Sequence, residues 1–353
     1  MRSILTTVGT SLRTNAMRRL NIPEVQEQHL AAYLRAATAE QACAETNSLS
    51  RLLQEGDRIV LLYSDTVEGH QCALALQRWY TAQRYSTDMA PIPHLTYTAN
   101  HFKMRGLRSL VATLIALIRR ERQQGRAVCL NATGGFKAEI AYATLVGLLF
   151  DVPVYYIHEA FRDIIEMPPT PVSWDYTLLA DYEDFFTWVH ADLRLTPEVQ
   201  ARLRGLPQEV SFLLTEEDEF TILSPAGEAF YEAYHDRLTH VEQVPIWLSS
   251  QAWQTYHALA PDVRRLFDRT FAKLRVRALR VSGADRVRNC DCLVYPKGHR
   301  DERVFFFEAD DDSVRVCTLA RHSDQSYEQL IARGVRQESY TEFTPWESSG
   351  QAV

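Results

Sequence analysis

Two groups of residues in this chain have the types and spacing to do chemistry. The first is Asn131-Ala132-Thr133-Gly134-Gly135-Phe136-Lys137, which follows the apolar run 127–130 and precedes a second apolar stretch, 138–150. Strand, glycine pair and helix form an arrangement that brings backbone close to phosphate. Glycine lacks the Cβ that would block approach, and the amides and dipole of a helix N-terminus favour an anion. Thr133 adds a hydroxyl and Lys137 a mobile cation. The competing reading is a turn that only closes one βα unit, because a single Gly-Gly pair is a weak motif. The second group lies far along the chain. Lys297, His299 and Arg300 follow a short apolar run at 292–295. Arg303 opens the next apolar run, Arg321 and His322 end the one after, and Tyr327 stands six residues beyond Arg321. RNA cleavage without a metal needs such a set: a base for the ribose 2′-OH, cations for the charge building on phosphate, and an acid for the departing 5′ oxygen. The competing reading pairs Arg303 with nearby acids and gives Tyr327 to the core.

The elements that position the first group read as alternating strand and helix. Strands are expected at 3–8, 58–63, 94–98, 127–130 and 152–157, with 161–167 pairing beside the last. Helices are expected within 15–55 and at 69–80, 107–120 and 138–150. Over 107–120 the apolar residues Leu110, Val111, Leu114, Ile115 and Ile118 recur at three and four. This alternation predicts a doubly wound parallel sheet. The loops Gly9-Thr10-Ser11, Ser64-Asp65-Thr66 and 131–137 each follow a strand, so they gather on one edge, where open α/β sheets bind ligands. Further on, 197–203, 210–214, 220–223 and 225–234 read as helix, hairpin and helix. The last hundred residues read as a strand at 244–248, helices at 253–259 and 261–274, a loop at 281–285, a strand at 292–295, a hairpin of 303–307 with 314–319, and a helix at 326–332. That is an α+β unit distinct from the first.

Composition narrows the options. With 353 residues, 46% apolar and 24% charged, the chain is an ordinary globular one of two or three domains. No window approaches a membrane span and no signal peptide is visible. The cysteines Cys43, Cys72, Cys129, Cys290, Cys292 and Cys317 show no CxxC spacing, so neither a disulfide framework nor a zinc site is expected, and a reducing cytoplasm fits. The net charge of −7 divides unevenly: 1–250 hold −8, 251–300 hold +7 and 301–353 hold −6. A basic stretch in an acidic chain points to a local polyanion contact or to a solvated helix face. By contrast 191–240 hold ten acids against four bases, which opposes a phosphate backbone. Several chemistries are missing. No histidine has an arginine five positions before it, the RxxxxH pattern of HEPN ribonucleases. No lysine follows an acid by two positions, as in restriction-type nucleases. There is no GxxxxGK[ST] loop and no GxSxG elbow.

The motifs Thr7-Val8-Gly9-Thr10-Ser11, Tyr63-Ser64-Asp65-Thr66 and Asn131 to Lys137, in that order, resemble the CARF domains of type III CRISPR ancillary proteins over about the first 175 residues. The resemblance implies a Rossmann-like fold and a homodimer that binds a cyclic oligoadenylate, the tetra-adenylate or the hexa form, across its two-fold axis. By that resemblance Gly9, Thr10, Ser11, Asn131, Thr133, Gly134, Gly135, Phe136 and Lys137 are ligand contacts. Asp65, an acid unsuited to phosphate, meets ribose or braces its loop. The middle, 176–242, resembles a connector and a winged helix. Residues 243–353 resemble RelE-type mRNA interferases, carried by the topology, the Arg303 strand and the Arg321-to-Tyr327 spacing. That family cuts mRNA on the ribosome. It implies Arg303 and Arg321 as phosphate and transition-state cations, Lys297 as base or phosphate contact, and Tyr327 as a stacking or orienting group. His322, where the family is more basic, is left for acid–base chemistry. The expectation is therefore a cyclic oligoadenylate-activated, ribosome-dependent endoribonuclease with ribosome and mRNA as partners, without metal or cofactor. The alternatives are a DNA-binding transcription regulator and a ring nuclease that degrades its own ligand.

Overall fold

In a computed structural model of the protein, the described residues are 1–96, 105–157, 163–170, 174–240, 243–298 and 300–347. They fall into two compact units: Met1–Pro171 with Val189–Glu232, and Val172–Trp188 with Ala233–Val353. Residues 189–232 pack with the first unit, held by ion pairs from Arg105 to Glu217, Arg108 to Glu228 and Arg119 to Glu232. The segment 172–188 belongs to the second unit, although the chain on either side of it belongs to the first.

The first unit is an α/β sheet of six strands: β1 (Arg2–Val8), β2 (Arg58–Ser64), β3 (Ser86–Ile92), β4 (Ala127–Asn131), β5 (Val154–Tyr156) and β6 (Ile165–Met167). Their order is β3-β2-β1-β4-β5-β6, parallel except for β6. The connecting helices are α1 (Ser11–Leu20), α2 (Glu27–Ala36), α3 (Ala39–Ala42), α4 (Ala44–Leu52), α5 (Val67–Ala82), α6 (Leu107–Gln123) and α7 (Lys137–Leu149). Central β1, β2 and β4 are buried along nearly their whole length because both faces of a parallel sheet are covered, and β1 buries Ser3, Thr6 and Thr7 as well as its apolar residues. The third strand lies at Ser86–Ile92 rather than at 94–98. Polar Asp88 and Pro91 disguised it in the sequence, and both suit an edge strand. His94 sits in a turn with φ 61°, and Tyr97 and Thr98 lie outside the described residues, as do Phe161 and Arg162 from the expected 161–167 strand. The chain reverses direction across the sheet between β1 and β4. This topological switch point is where a crevice opens beyond the strand ends.

Also in this unit, β7 (Arg194–Leu195), β8 (Leu214–Glu217) and β9 (Phe220–Leu223) form a small antiparallel sheet ordered β7-β9-β8, between α10 (Thr196–Leu203) and α11 (Pro225–His240). The strand expected at 210–214 is instead a 3-10 turn over Gln208–Leu213 that leads into β8.

The second unit begins with α8 (Thr177–Asp181) and the start of α9 (Glu183–Ala191), and continues from β10 (Ile246–Leu248) through α12 (Ser250–Ala258), α13 (Pro261–Leu274), α14 (Arg277–Gly283), β11 (Asp285–Arg286), β12 (Leu293–Tyr295), β13 (Glu302–Glu308), β14 (Val314–Arg321), α15 (Ser326–Arg333) and β15 (Thr344–Pro345). The expected loop at 281–285 is thus a helix end followed by a strand. The sheet runs β11-β12-β13-β14-β10-β15, with β10 parallel to β14 and the other pairs antiparallel. One face packs Val304, Phe306, Val316 and Leu319 against Phe267 and Phe271 of α13. The other packs Cys292, Phe305, Cys317 and Ala320 against Tyr327, Leu330 and Ile331 of α15.

Candidate functional site

The loops after β1 and β4 meet at the switch point. A cleft of about 430 Å³ opens there, lined by Gly9, Thr10, Ser11 and Arg18 on one side and by Thr133, Gly134, Gly135 and Phe136 on the other. The two loops touch backbone to backbone. A Cβ on Gly9 would lie 2.7 Å from the Gly135 amide nitrogen, and one on Gly134 would lie 2.5 Å from the Thr7 carbonyl. Gly135 has φ 96°, which a side chain strains. Thr7 ties the loops together by donating its hydroxyl to the Gly134 carbonyl at 2.6 Å.

Two buried acids lie behind the loops, and neither was singled out from the sequence. Glu45, from α4, accepts the Gly9 amide at 2.7 Å and the Ser11 hydroxyl at 3.3 Å. Glu139, in the first turn of α7, accepts the Phe136 amide at 3.2 Å. Burial raises the Glu45 carboxyl, and it pushes Glu139 up to about 7, with the charge of Glu45 adding to that shift. Two of the amides expected to face an anion therefore already serve internal carboxyl groups. The Thr133 hydroxyl is also engaged: it donates to the Asn131 side-chain oxygen at 2.9 Å and accepts the Ile157 amide at 3.3 Å. Among the described residues the amides of Gly134 and Gly135, the Thr10 hydroxyl and the Arg18 guanidinium have no partner. These are the donors left to meet a ligand, and together they suit an anion.

Seven of the ten residues assigned to ligand from the sequence line this cleft. The other three do not. Asn131 is buried and braces the floor, donating to the Ser48 hydroxyl at 2.8 Å. Lys137 is exposed at the first turn of α7, outside the lining. Asp65 is exposed after β2, where its amide donates to the Leu95 carbonyl at 3.1 Å and Thr66 caps α5.

In the second unit the candidate residues gather at the end of the sheet where β12 leaves and β14 ends, but they do not form one cationic surface. Arg303 is buried. Its guanidinium donates to the carbonyls of Arg300, Glu302 and Gly298 at 2.6–2.8 Å, and it lies 5.5 Å from the Tyr327 ring centre. Tyr327 in turn meets His322 edge-on at 4.5 Å, and the Nδ1 of His322 lies 2.8 Å from Glu328. Burial raises the Tyr327 phenol, against the pull of Arg303. Arg303, Tyr327 and His322 are thus brought together. Arg321 is not. It pairs in register with Glu302 while Arg303 pairs with Ala320, so the two arginines project from opposite faces of the sheet. Arg321 is held by Asp301 at 2.7 Å. Lys297 faces Asp175 at 3.7 Å. An open pocket of about 600 Å³ beside this cluster is lined by Gly298, Arg300, Asp301, His322 and Ser323. His299 lies outside the described residues. An exposed imidazole oriented by a carboxylate has the groups for proton transfer, which is the chemistry this end of the sheet offers.

The loop 297–301 is also gripped by the segment that leads in from the first unit. The Ala180 carbonyl accepts both the Lys273 ammonium at 2.9 Å and the Arg300 guanidinium at 3.1 Å. Lys273 is buried and paired with Glu183 at 2.7 Å. A Cβ on Gly298 would lie 2.8 Å from the Asp181 carboxylate.

One further cluster carries metal-ligand residue types. His190 lies 3.2 Å from Glu228 and 3.4 Å from Glu232. Arg108 and Arg119 already pair with those two acids. Donating hydrogen bonds to both glutamates raises the His190 imidazole to about 9, and the hydrogen bond from His190 leads the causes that lower Glu232 to about 2. Two arginines and the imidazole thus meet two carboxylates in an ion-pair network that joins α6, α9 and α11.

Residues 40–170 match the family described as CRISPR-associated protein (Cas_APE2256). Two solved structures are also similar. Protein VC1899 from Vibrio cholerae shares 10% identity, with 67% of each chain covered and a TM-score of 0.26. Can2 from Sulfobacillus thermosulfidooxidans in complex with cyclic tetra-adenylate shares 13% identity, with 68% of this chain and 66% of that one covered and a TM-score of 0.25. Superpositions this loose leave the fold to be judged from strand order and register. No helix among the described residues is long and apolar enough to cross a membrane.

Proposed function

We propose that the protein is a type III CRISPR ancillary ribonuclease whose N-terminal CARF domain binds a cyclic oligoadenylate and whose C-terminal RelE-like unit cuts mRNA on the ribosome. The observation that carries the reading is the cleft between the Gly9–Ser11 and Thr133–Phe136 loops, with free glycine amides and an arginine, the second loop falling inside the stretch 40–170 matched by a CRISPR-associated family. A ring of phosphates with two-fold symmetry suits two such clefts facing each other, so the working form is a homodimer. The ligand is cyclic tetra-adenylate, with the hexa form as the alternative, and it acts as an allosteric activator rather than a cofactor.

In the second unit, His322, oriented by Glu328, exchanges the proton at the scissile bond, and Tyr327 stacks against a base. Arg303 holds the loop 297–302 in shape from behind. Arg321 and Lys297, now paired with acids, become phosphate contacts only after those pairs open. The strand, three helices, antiparallel hairpin and final helix from β10 to α15 support the RelE comparison. Purified protein added to translating ribosomes, with and without cyclic tetra-adenylate, tests the reading. Ligand-dependent mRNA cleavage is expected, and equal mRNA integrity in both samples would reject it.

A second reading has one observation in its favour. Ser11 donates to the buried Glu45 carboxyl inside the cleft at 3.3 Å, a pairing that could move a proton during cleavage of the bound ring. Chromatography of the ligand after incubation separates this reading, since linear products appear only if the ring is opened. DNA reading through the central small sheet, which resembles a winged helix, gains no such support, given its ten acids against four bases over 191–240.

A further inference from the structure

We infer that Arg18, and not Lys137, is the cation that meets the ligand's phosphate in the cleft. The inference rests on the ligand reading above and names the charge on which that binding depends. Ser11, Thr14, Asn15 and Arg18 recur at three and four along α1, which puts them on one face of the helix, and all four line the cleft. Arg18 is the one cation among the lining residues.

The rest of the lining cannot supply its charge. The Gly9 and Phe136 amides are bonded to Glu45 and Glu139. Thr14 donates its hydroxyl to the Thr10 carbonyl at 3.2 Å, and Asn15 donates its amide to the Ala42 carbonyl at 3.2 Å. What remains are neutral donors: two glycine amides and the Thr10 hydroxyl. Behind them stand two carboxyl groups whose charge, when present, repels a phosphodiester. A formal positive charge is needed on the open side, and Arg18 provides it with a planar fork that can bridge two phosphate oxygens. It has no competing acid partner among the described residues. Lys137 opens α7 outside the lining, although its place after the glycine pair made it the obvious cation in the sequence.

The test uses the full chain with synthetic cyclic tetra-adenylate and cyclic hexa-adenylate, by calorimetry at two salt concentrations. Arg18→Ala should weaken binding about 30-fold, the range for a charged hydrogen-bond donor, and should flatten the salt dependence by about one counterion per site. Arg18→Lys should recover part of the loss. Lys137→Ala should stay within about threefold of wild type, because a cation outside the cleft contributes only screened attraction. Arg18 is exposed and unpaired, so its variants keep the wild-type melting temperature, which is checked alongside. Binding that collapses in Lys137→Ala and survives in Arg18→Ala overturns the assignment. Wild-type protein that binds neither ring overturns the ligand reading and this assignment with it.

Discussion

The cleft of the first unit and the sheet end of the second both collect polar residues, but they hold them in opposite states. In the cleft the useful donors are backbone amides of glycines locked by close packing, and two of them, on Gly134 and Gly135, have no partner among the described residues. At the sheet end the useful groups are side chains, and each is already taken: Arg303 by three carbonyls, Arg321 by Asp301, Lys297 by Asp175, and the His322 ring by Glu328. A site built on backbone is ready before its ligand arrives, because no rotamer has to be fixed. A site built on paired side chains becomes available only when something else breaks the pairs. This contrast fits a sensor that is poised and an effector that is held in check, and it can be broken experimentally.

The largest effect should come from Arg303. Arg303→Ala leaves three carbonyls without their donor, and urea unfolding should show a loss of about 3 kcal/mol. Arg321→Ala, which removes a half-exposed pair, should cost under about 1 kcal/mol. If the two variants are equally stable, Arg303 is not a brace and the sheet end is freer than described. Next comes the cleft. Gly134→Ala would set a Cβ 2.2 Å from Glu45 and 2.5 Å from the Thr7 carbonyl. Overpacking of that kind should cost about 2 kcal/mol and, by parting the loops, lower ligand affinity at least tenfold. Unchanged melting and unchanged affinity would mean that the cleft is not rigid.

Glu139 sharpens the comparison through pH. Its folded pKa of about 7 lies above the ordinary 4.5. Its contribution to stability is therefore complete below about pH 4.5 and is lost as pH rises through about 7. Glu139→Gln carries no charge at any pH, so its stability relative to wild type should grow between pH 5 and pH 8 by on the order of 2 kcal/mol. Wild-type affinity for the ring should also fall over that range, and the variant's should not. A constant difference across pH would place a charged carboxylate under the loops. The smallest stability change belongs to Tyr327→Phe, within about 0.5 kcal/mol, while cleavage on ribosomes slows if the phenol takes part in orienting substrate.

Much of this was legible in the sequence, and the exceptions have physical causes. The glycine loops showed themselves because only glycine permits such contact, and each follows a short strand-like run. Glu45 and Glu139 stayed hidden because an acid in an alanine-rich helical stretch looks like a solvent-facing residue. Nothing local reveals that a distant loop needs an acceptor there. Arg303 and Arg321 flank one hairpin, and in an unshifted register they would share a face. The register shifts by one residue beyond Phe306, where Val316 pairs with Phe306 but Thr318 with Phe305. A single extra residue on β14 turns Arg321 to the other side. The packing of 189–232 with the first unit was hidden for a similar reason: the ion pairs that bind it join residues more than a hundred positions apart.

The segment 172–188 leaves the first unit and returns to it, having lodged Ala180 against Lys273 and Arg300 on the way. One carbonyl there answers two cations, so whatever shifts Ala180 by an ångström unseats a buried ammonium and a guanidinium together.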